Sequence, residues 1–457
     1  MVIKLFGRHS ILVCLCVLAS VVIATMTVNF SRGHGSSVDA GTNSGKLSTV
    51  STAASGNNAG NFSSEIKTSA VSSTEKSVKA TSSSSSQNSV TSGSYRNEMR
   101  AVWVPYLSLN MSRENDKSEQ AFKSKFNAVI EKAKGSGMNT LIVQVRPFGD
   151  ALYKSKSFPW SHVLSGTQGV DQGYDPLSDM VEQTHKAGLK IHAWVNPLRI
   201  QISGTPSVLA ENNPYNVWGK DSSKTGWTVD FNGGKYYNPA YEGVREFIAE
   251  GVEEIAKNYN VDGIQFDDYF YPSQDASFDK NEYETYCEGA KKAGTPLSLL
   301  EWRRGNINAL VSLCYRKIKS AKSGIQFGIA PQANVQNDLN MGADVYSWCS
   351  SKGYVDYVCP QLYVNFENPV LPFGTAAQTW KDMASNKSVK LYFGLALYKA
   401  NSNADSGTWK KSDTILASEV KCGRDVSCDG FMFYSCDYLD SDQTREEVDN
   451  MTKTLGS

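Results

Sequence analysis

The chain is poor in histidine. Five occur among 457 residues (His9, His34, His162, His185 and His192), and none follows His192. That scarcity argues against a Ser-His-Asp triad and against a histidine-based metal site. An excess of charge of either sign is also lacking, since Lys+Arg and Asp+Glu each total 46. Nucleic acid is therefore not an expected partner, because a binder of that kind normally carries a basic surplus. No Cys-x-x-Cys pair occurs among the nine cysteines, so no structural zinc is expected, and nothing else calls for a metal or a cofactor. No glycine-rich phosphate loop follows the first apolar run, which counts against an open dinucleotide-binding sheet. Aromatic residues are plentiful at 11%, with nine Trp and 22 Tyr. They serve either a large aromatic core or a cleft whose rings stack on the apolar faces of sugars.

Three regions differ in character. Residues 1–30 read as a signal peptide or membrane anchor: Lys4 and Arg8 precede an uncharged, largely apolar run of 18 residues from Ile11 to Val28. Ala24-Thr25-Met26 is a poor cleavage site, so an anchored and a secreted form are equally expected. Either places the remainder outside the cell or at its surface. Residues 31–96, rich in Ser, Thr, Asn, Gly and Ala, hold too little apolar matter to offset chain entropy and read as a disordered stalk. Residues 97–457 form the third region. Beyond the leader lie seven cysteines, an odd number, of which Cys422 and Cys428 are the candidate bridge and the others buried thiols.

In the third region eight short apolar runs recur, at 101–107, 140–146, 190–196, 263–267, 326–330, 357–363, 391–396 and 430–434. Segments of helical periodicity lie between them, among them 121–134, 176–187, 242–258, 302–319 and 375–383. Strands alternating with helices indicate parallel βαβ units, and eight of them predict a (β/α)8 TIM barrel. Side-chain parity adds a location. Gln144 and Arg146 share one face of the second strand; His192, Trp194 and Asn196 share one face of the third. Gln265 and Asp267 oppose Ile264 and Phe266, while Gln361 and Tyr363 oppose Pro360 and Leu362. The apolar parity must face the helices, so the polar parity is predicted to point into the barrel near the carboxyl ends of the strands, where barrel enzymes hold their sites.

The segment Val261-Asp262-Gly263-Ile264-Gln265-Phe266-Asp267-Asp268-Tyr269-Phe270-Tyr271-Pro272 carries the chemistry. Two adjacent carboxyls at the end of a buried strand are costly, because burial and like charge both disfavour ionisation. A pair whose pKa values are driven apart suits acid–base work on a glycosidic bond. The plain alternative is a helix cap or an ion pair with Arg146 or Arg199. Neighbouring aspartates fit poorly with the usual acid-plus-nucleophile geometry of about 5–5.5 Å across the bond. A substrate-assisted route suits them better, in which Asp267 orients a sugar N-acetyl group and Asp268 is the acid. Gln144, Arg146, Asn196, Gln361 and Tyr363 are candidate ligands for sugar hydroxyl, carboxylate or acetamido groups, and Trp194, Tyr269 and Tyr271 are candidate stacking rings. Asp150, Glu367 and Asp437 are reserve carboxylates past strand ends.

Several motifs, taken in order, carry a family resemblance: Glu98-Met99-Arg100-Ala101-Val102-Trp103-Val104, Gly137-Met138-Asn139-Thr140 through Gln144-Val145-Arg146-Pro147, Asp150-Ala151-Leu152-Tyr153, His192-Ala193-Trp194-Val195-Asn196-Pro197, Val261 through Pro272, Trp302-Arg303-Arg304 with Asn306-Ile307-Asn308, and Pro360-Gln361-Leu362-Tyr363. Over roughly residues 97 to 440 the chain resembles the glycosyl-hydrolase-like ten family of bacterial envelope proteins. The resemblance implies a barrel glycosidase, with members acting on peptidoglycan glycan strands stripped of their peptides. The Asp-Asp strand end is also similar to that of barrel hexosaminidases with an acetamido-orienting Asp followed by an acid Asp. The resulting expectation is an exported, monomeric glycoside hydrolase whose partners are a polysaccharide substrate and the cell wall or membrane surface. The alternatives are a catalytically silent carbohydrate-binding barrel and a hydrolase of a dietary or host glycan.

Overall fold

A computed structural model describes residues 97–457 apart from residue 293. The leader and the stalk expected from the sequence lie outside the described residues. The rest contains a closed parallel barrel of eight strands, each hydrogen-bonded to its sequence neighbours. They are β1 (Met99–Val104), β2 (Thr140–Arg146), β3 (Lys190–Val195), β4 (Gly263–Phe266), β5 (Gln326–Ile329), β6 (Tyr357–Val358), β7 (Lys390–Leu395) and β8 (Gly430–Phe433). β1 closes on β8 with Met99 opposite Gly430 and Val102 opposite Phe433. Each strand is followed by a helix, the longer ones at Glu119–Gly135, Pro176–Lys186, Glu242–Asn258, Leu299–Ala321, Phe373–Met383, Ile415–Asp425 and Arg445–Gly456.

The eight apolar runs thus become the eight strands, with ends trimmed where the chemistry requires it. Pro105 follows the last residue of β1. β6 stops at Val358 because Pro360 has no N–H to give the ladder. The chain rejoins the barrel at Gln361, which bridges Gln332 and Gly394. Helix starts are fixed by side-chain caps. Ser118 accepts from Ala121 N and Asp175 from Ser178 N, while Ser298 and Glu301 form a reciprocal capping box. The helix Glu242–Asn258 buries Val244, Ile248, Val252 and Ile255 on one stripe against the barrel. Each such side chain contributes about 1.5–3 kcal/mol on burial.

Parity divides the apolar residues into two clusters. Val102, Val143, Ile191, Ile264, Phe327, Phe393 and Phe431 face the helices. Ala101, Trp103, Ile142, Trp194, Tyr357, Tyr392 and Met432 fill the barrel. The interior is crowded enough to demand glycine. A Cβ at Gly263 would lie 2.5 Å from the His192 ring, and one at Gly328 would collide with the Tyr357 ring. These strands therefore give up side chains so that rings from neighbouring strands fit across the barrel.

The long link between β3 and its helix carries a feature not predicted from the sequence. Arg199–Gln201, Thr228–Phe231 and Gly234–Tyr237 form a three-stranded antiparallel sheet outside the barrel, with Arg199 opposite Tyr236. Strands of three or four residues leave too short an alternation to stand out. The predicted bridge between Cys422 and Cys428 is a correction: all seven described cysteines are free, and the Cys428 thiol lies 3.6 Å from Gly430 O as a donor. Among the described residues no helix is long and apolar enough to cross a membrane.

Candidate active site

The barrel interior is polar in layers. In the deeper one the Tyr357 hydroxyl donates to Gln265 Oε1 at 3.1 Å and lies 3.0 Å from His192 Nδ1. Burial pushes the His192 pKa down to about 4, so this imidazole is neutral and structural.

Asp267 stands above, just past β4, and only 3% of its surface is exposed. Trp194 Nε1 donates to its Oδ2 at 2.9 Å, Asn196 Nδ2 donates to the same oxygen, and Tyr269 N donates to Oδ1 at 3.3 Å. Asn196 is held in turn by Gln144 Nε2, which donates to Asn196 Oδ1 at 2.7 Å. Gln144 Oε1 accepts from Tyr106 N at 3.0 Å. A chain of hydrogen bonds therefore runs from the end of β1 through β2 and β3 to the carboxylate at β4. It explains why polar residues recur at these inward positions: each satisfies the next, and the last orients Asp267. Burial, then the neighbouring Asp268 charge, raise the Asp267 pKa to about 7 against the opposing pull of Arg199, Trp194 and Tyr269 N.

Asp268 is half-buried beside it. Gln361 Nε2 donates to Asp268 Oδ1 at 2.8 Å and also to Ala330 O at 2.8 Å, tying the end of β6 to β4 and β5. Burial is again the largest influence and raises the Asp268 pKa, while Gln361, Arg199 and Gln332 pull it down. A third carboxyl, Asp338, lies nearby and was not expected from the sequence. It is 2% exposed, its Oδ1 accepts from Gln332 N at 2.9 Å, and its Oδ2 has no partner among the described residues. Burial, with the Asp268 charge added, pushes its pKa well above the usual carboxylate range.

The other candidates divide. Tyr363 joins Tyr398 and Tyr434 in an aromatic wall, each ring centroid 5.9 Å from that of Tyr363. Tyr434 follows β8, and its place there was open to the same parity reasoning that located Tyr363. Tyr269 is half-buried with its ring 4.9 Å from the Arg199 guanidinium. Trp194 presents its indole N–H to Asp267 from a buried ring instead of offering an open stacking face.

Two placements are corrections. Tyr271 is 2% exposed and packs on Phe278 at 5.5 Å and under Arg303 at 4.8 Å, so its ring belongs to the core. Arg146 does not share the inward face with Gln144. The register slips between them, Gln144 pairing with Trp194 and Arg146 with the outward-facing Val195. This bulge turns the Arg146 side chain toward the helices, where its guanidinium covers the Phe158 ring at 4.3 Å and sits against Gly251. The reserve carboxylates also have other engagements. Asp150 is fully buried on His162 and Gln168, Glu367 pairs with Lys411, and Asp437 accepts from Ser108.

A closed (β/α)8 barrel with desolvated carboxyls converging at the carboxyl ends of its strands has the layout of a barrel-enzyme active site. The family model described as glycosyl hydrolase-like 10 matches residues 98–411, and the chain belongs to that family. Glycosyl hydrolase YngK of Bacillus subtilis (strain 168) is 35% identical over 329 residues, which cover 67% of this chain and 62% of YngK. The chain therefore spans less than two thirds of that relative. Glycosyl hydrolase DigH of Escherichia coli (strain K12) is 31% identical over 389 residues, covering 78% of this chain and 85% of DigH. Among solved structures, the PgaB (BpsB) glycoside hydrolase domain from Bordetella bronchiseptica is similar in fold. Its TM-score is 0.52 at 14% identity, over 78% of this chain and 99% of that one.

Proposed function

We propose that this protein hydrolyses glycosidic bonds in an N-acetylated polysaccharide of the bacterial envelope, with peptidoglycan glycan strands as the substrate, by substrate-assisted catalysis. The observation that carries the reading is the unequal setting of two adjacent carboxyls. Asp267 is clamped by three donors, whereas Asp268 is half-buried and held through Gln361. In the reaction the acetamido oxygen of the substrate attacks its own anomeric carbon. Asp267, ionised, accepts the acetamido N–H and stabilises the positive charge that develops, and Asp268 protonates the departing glycosidic oxygen. Water then opens the cyclic intermediate, with Asp268 accepting its proton. Burial lifts the Asp268 pKa, the direction a proton donor requires, and lifts that of Asp267 as well, so the division of roles rests on their unequal hydrogen bonding. The envelope substrate and an exported or surface location rest on the family resemblance and on the basic, then apolar, N-terminal sequence.

The test is incubation of the purified protein with denuded peptidoglycan strands, chitin and a plant xylan, followed by mass spectrometry of the soluble products. N-acetylated fragments from the first substrate, lost in Asp268→Asn with glycan binding retained, are expected. Binding without products from any of the three would leave a carbohydrate-binding barrel; products from xylan alone would remove the acetamido from the mechanism.

A further inference from the structure

Arg199 is a buried-edge cation that the catalytic reading above leaves without a task. It sits on the first strand of the three-stranded sheet, opposite Tyr236. Its Nε donates to Pro147 O at 2.8 Å, and its guanidinium carbon lies 5.0 Å from the Phe148 ring centroid and 4.9 Å from that of Tyr269. Two rings and a carbonyl thus hold the guanidinium in place. Its charge reaches Asp267 and Asp268, since it opposes the rise in both their pKa values, yet it forms an ion pair with neither. Among the described residues its terminal nitrogens have no carboxylate partner, and the half-buried side chain lies next to Tyr269, whose N–H bonds Asp267.

We propose that Arg199 forms the subsite for a carboxylate substituent carried by the sugar next to the bond cleaved, and so selects anionic over neutral N-acetylated glycans. The inference rests on the glycan-hydrolase reading of this site. The electrostatics give the reason. A substrate carboxylate entering beside two aspartates is repelled unless a fixed cation compensates it, and guanidinium is the group whose planar donors match a carboxylate at two points.

The experiment compares denuded glycan strands, which bear free ether-linked carboxylates, with the same strands after chemical reduction of those carboxyls to alcohols. The readout is the ratio of kcat/KM on the two substrates, so any general effect of Arg199 on the aspartates cancels. The native protein is expected to favour the carboxylate form by about tenfold or more. Arg199→Gln should bring the ratio near one through KM, and Arg199→Lys should restore part of it. An unchanged ratio in Arg199→Gln, or no preference in the native protein, overturns the proposal. Equilibrium binding to both glycans in an Asp268→Asn background separates the two readings. If the native protein releases no products, the hydrolytic reading falls. A binding preference that disappears with Arg199→Gln would still support the carboxylate subsite, and its absence would end that proposal as well.

Discussion

Replacing Trp194 by Phe removes one hydrogen-bond donor from Asp267 while keeping an aromatic ring in the barrel interior. In the native site Trp194 Nε1 donates to Asp267 Oδ2 at 2.9 Å, within a carboxyl that is 3% exposed and has a pKa of about 7. A hydrogen bond to a charged group contributes about 1.5–3 kcal/mol, and most of that favours the ionised form. At 1.36 kcal/mol per unit, its loss raises the Asp267 pKa by about one to two units. At pH 7 the ionised fraction then falls from about one half to between about a tenth and a hundredth. The proposed mechanism uses Asp267 as the anion, so the acidic limb of the kcat/KM profile should move to higher pH by the same amount. Activity at pH 7 should fall roughly fivefold to fiftyfold and recover toward the native value above pH 9. The assay is release of reducing ends from denuded glycan across pH 5 to 10. A uniform loss at every pH, or a limb that stays in place, would refute the claim that Trp194 acts through the charge of Asp267.

Asp268→Asn should lower kcat on polymeric glycan by about 10²–10⁴-fold, and much less on an aryl glycoside whose leaving group needs no proton, as steady-state kinetics would reveal. Glu419 is fully buried with both carboxyl oxygens unpartnered among the described residues, and burial with the nearby Glu447 charge raises its pKa well above the ordinary value. Glu447 itself is raised to about 7. Both are acids with folded pKa values above their unfolded ones, so the folded state holds more protons and stability falls as pH rises from about 4.5 through 7. Glu419→Met should raise Tm at pH 8 more than at pH 5; equal or opposite shifts in calorimetry would count against the protonated pair. Arg303 and Asp279 form a buried bidentate pair, with Nε at 3.1 and 3.0 Å and Nη2 at 2.6 Å from the carboxylate, and Arg303 also holds Ser273 O and Asp275 O. Asp279→Ala should cost about 3–5 kcal/mol in denaturant unfolding by stranding the guanidinium; a loss below 1 kcal/mol would show the pair to be dispensable. Gly328→Ala should cost about 1–3 kcal/mol or more, because the added methyl meets the Tyr357 ring, and a neutral result would mean the barrel interior yields.

What the sequence determined is what short-range periodicity can encode. An apolar run that alternates every second residue states which side chains share a face, and it predicted the eight strands and most of the inward layer, Gln144, Trp194, Asn196, Asp267 and Gln361 among them. The adjacent aspartates were visible because no other part of a buried strand end tolerates such a cost without a use for it. The placement of several surrounding residues was not. The bulge that turns Arg146 outward exists only in the pairing of β2 with β3, which one strand read alone does not contain. Tyr271 is buried because Arg303, thirty-two positions later, lies over it; Arg199 reaches the aspartates because a small sheet folds back from β3; Asp338 joins them through the turn after β5. Facing is a property of the local backbone, whereas register and the return of long connections are decided by contacts between distant residues. The tertiary structure alone therefore decided which charges stand beside Asp267 and Asp268.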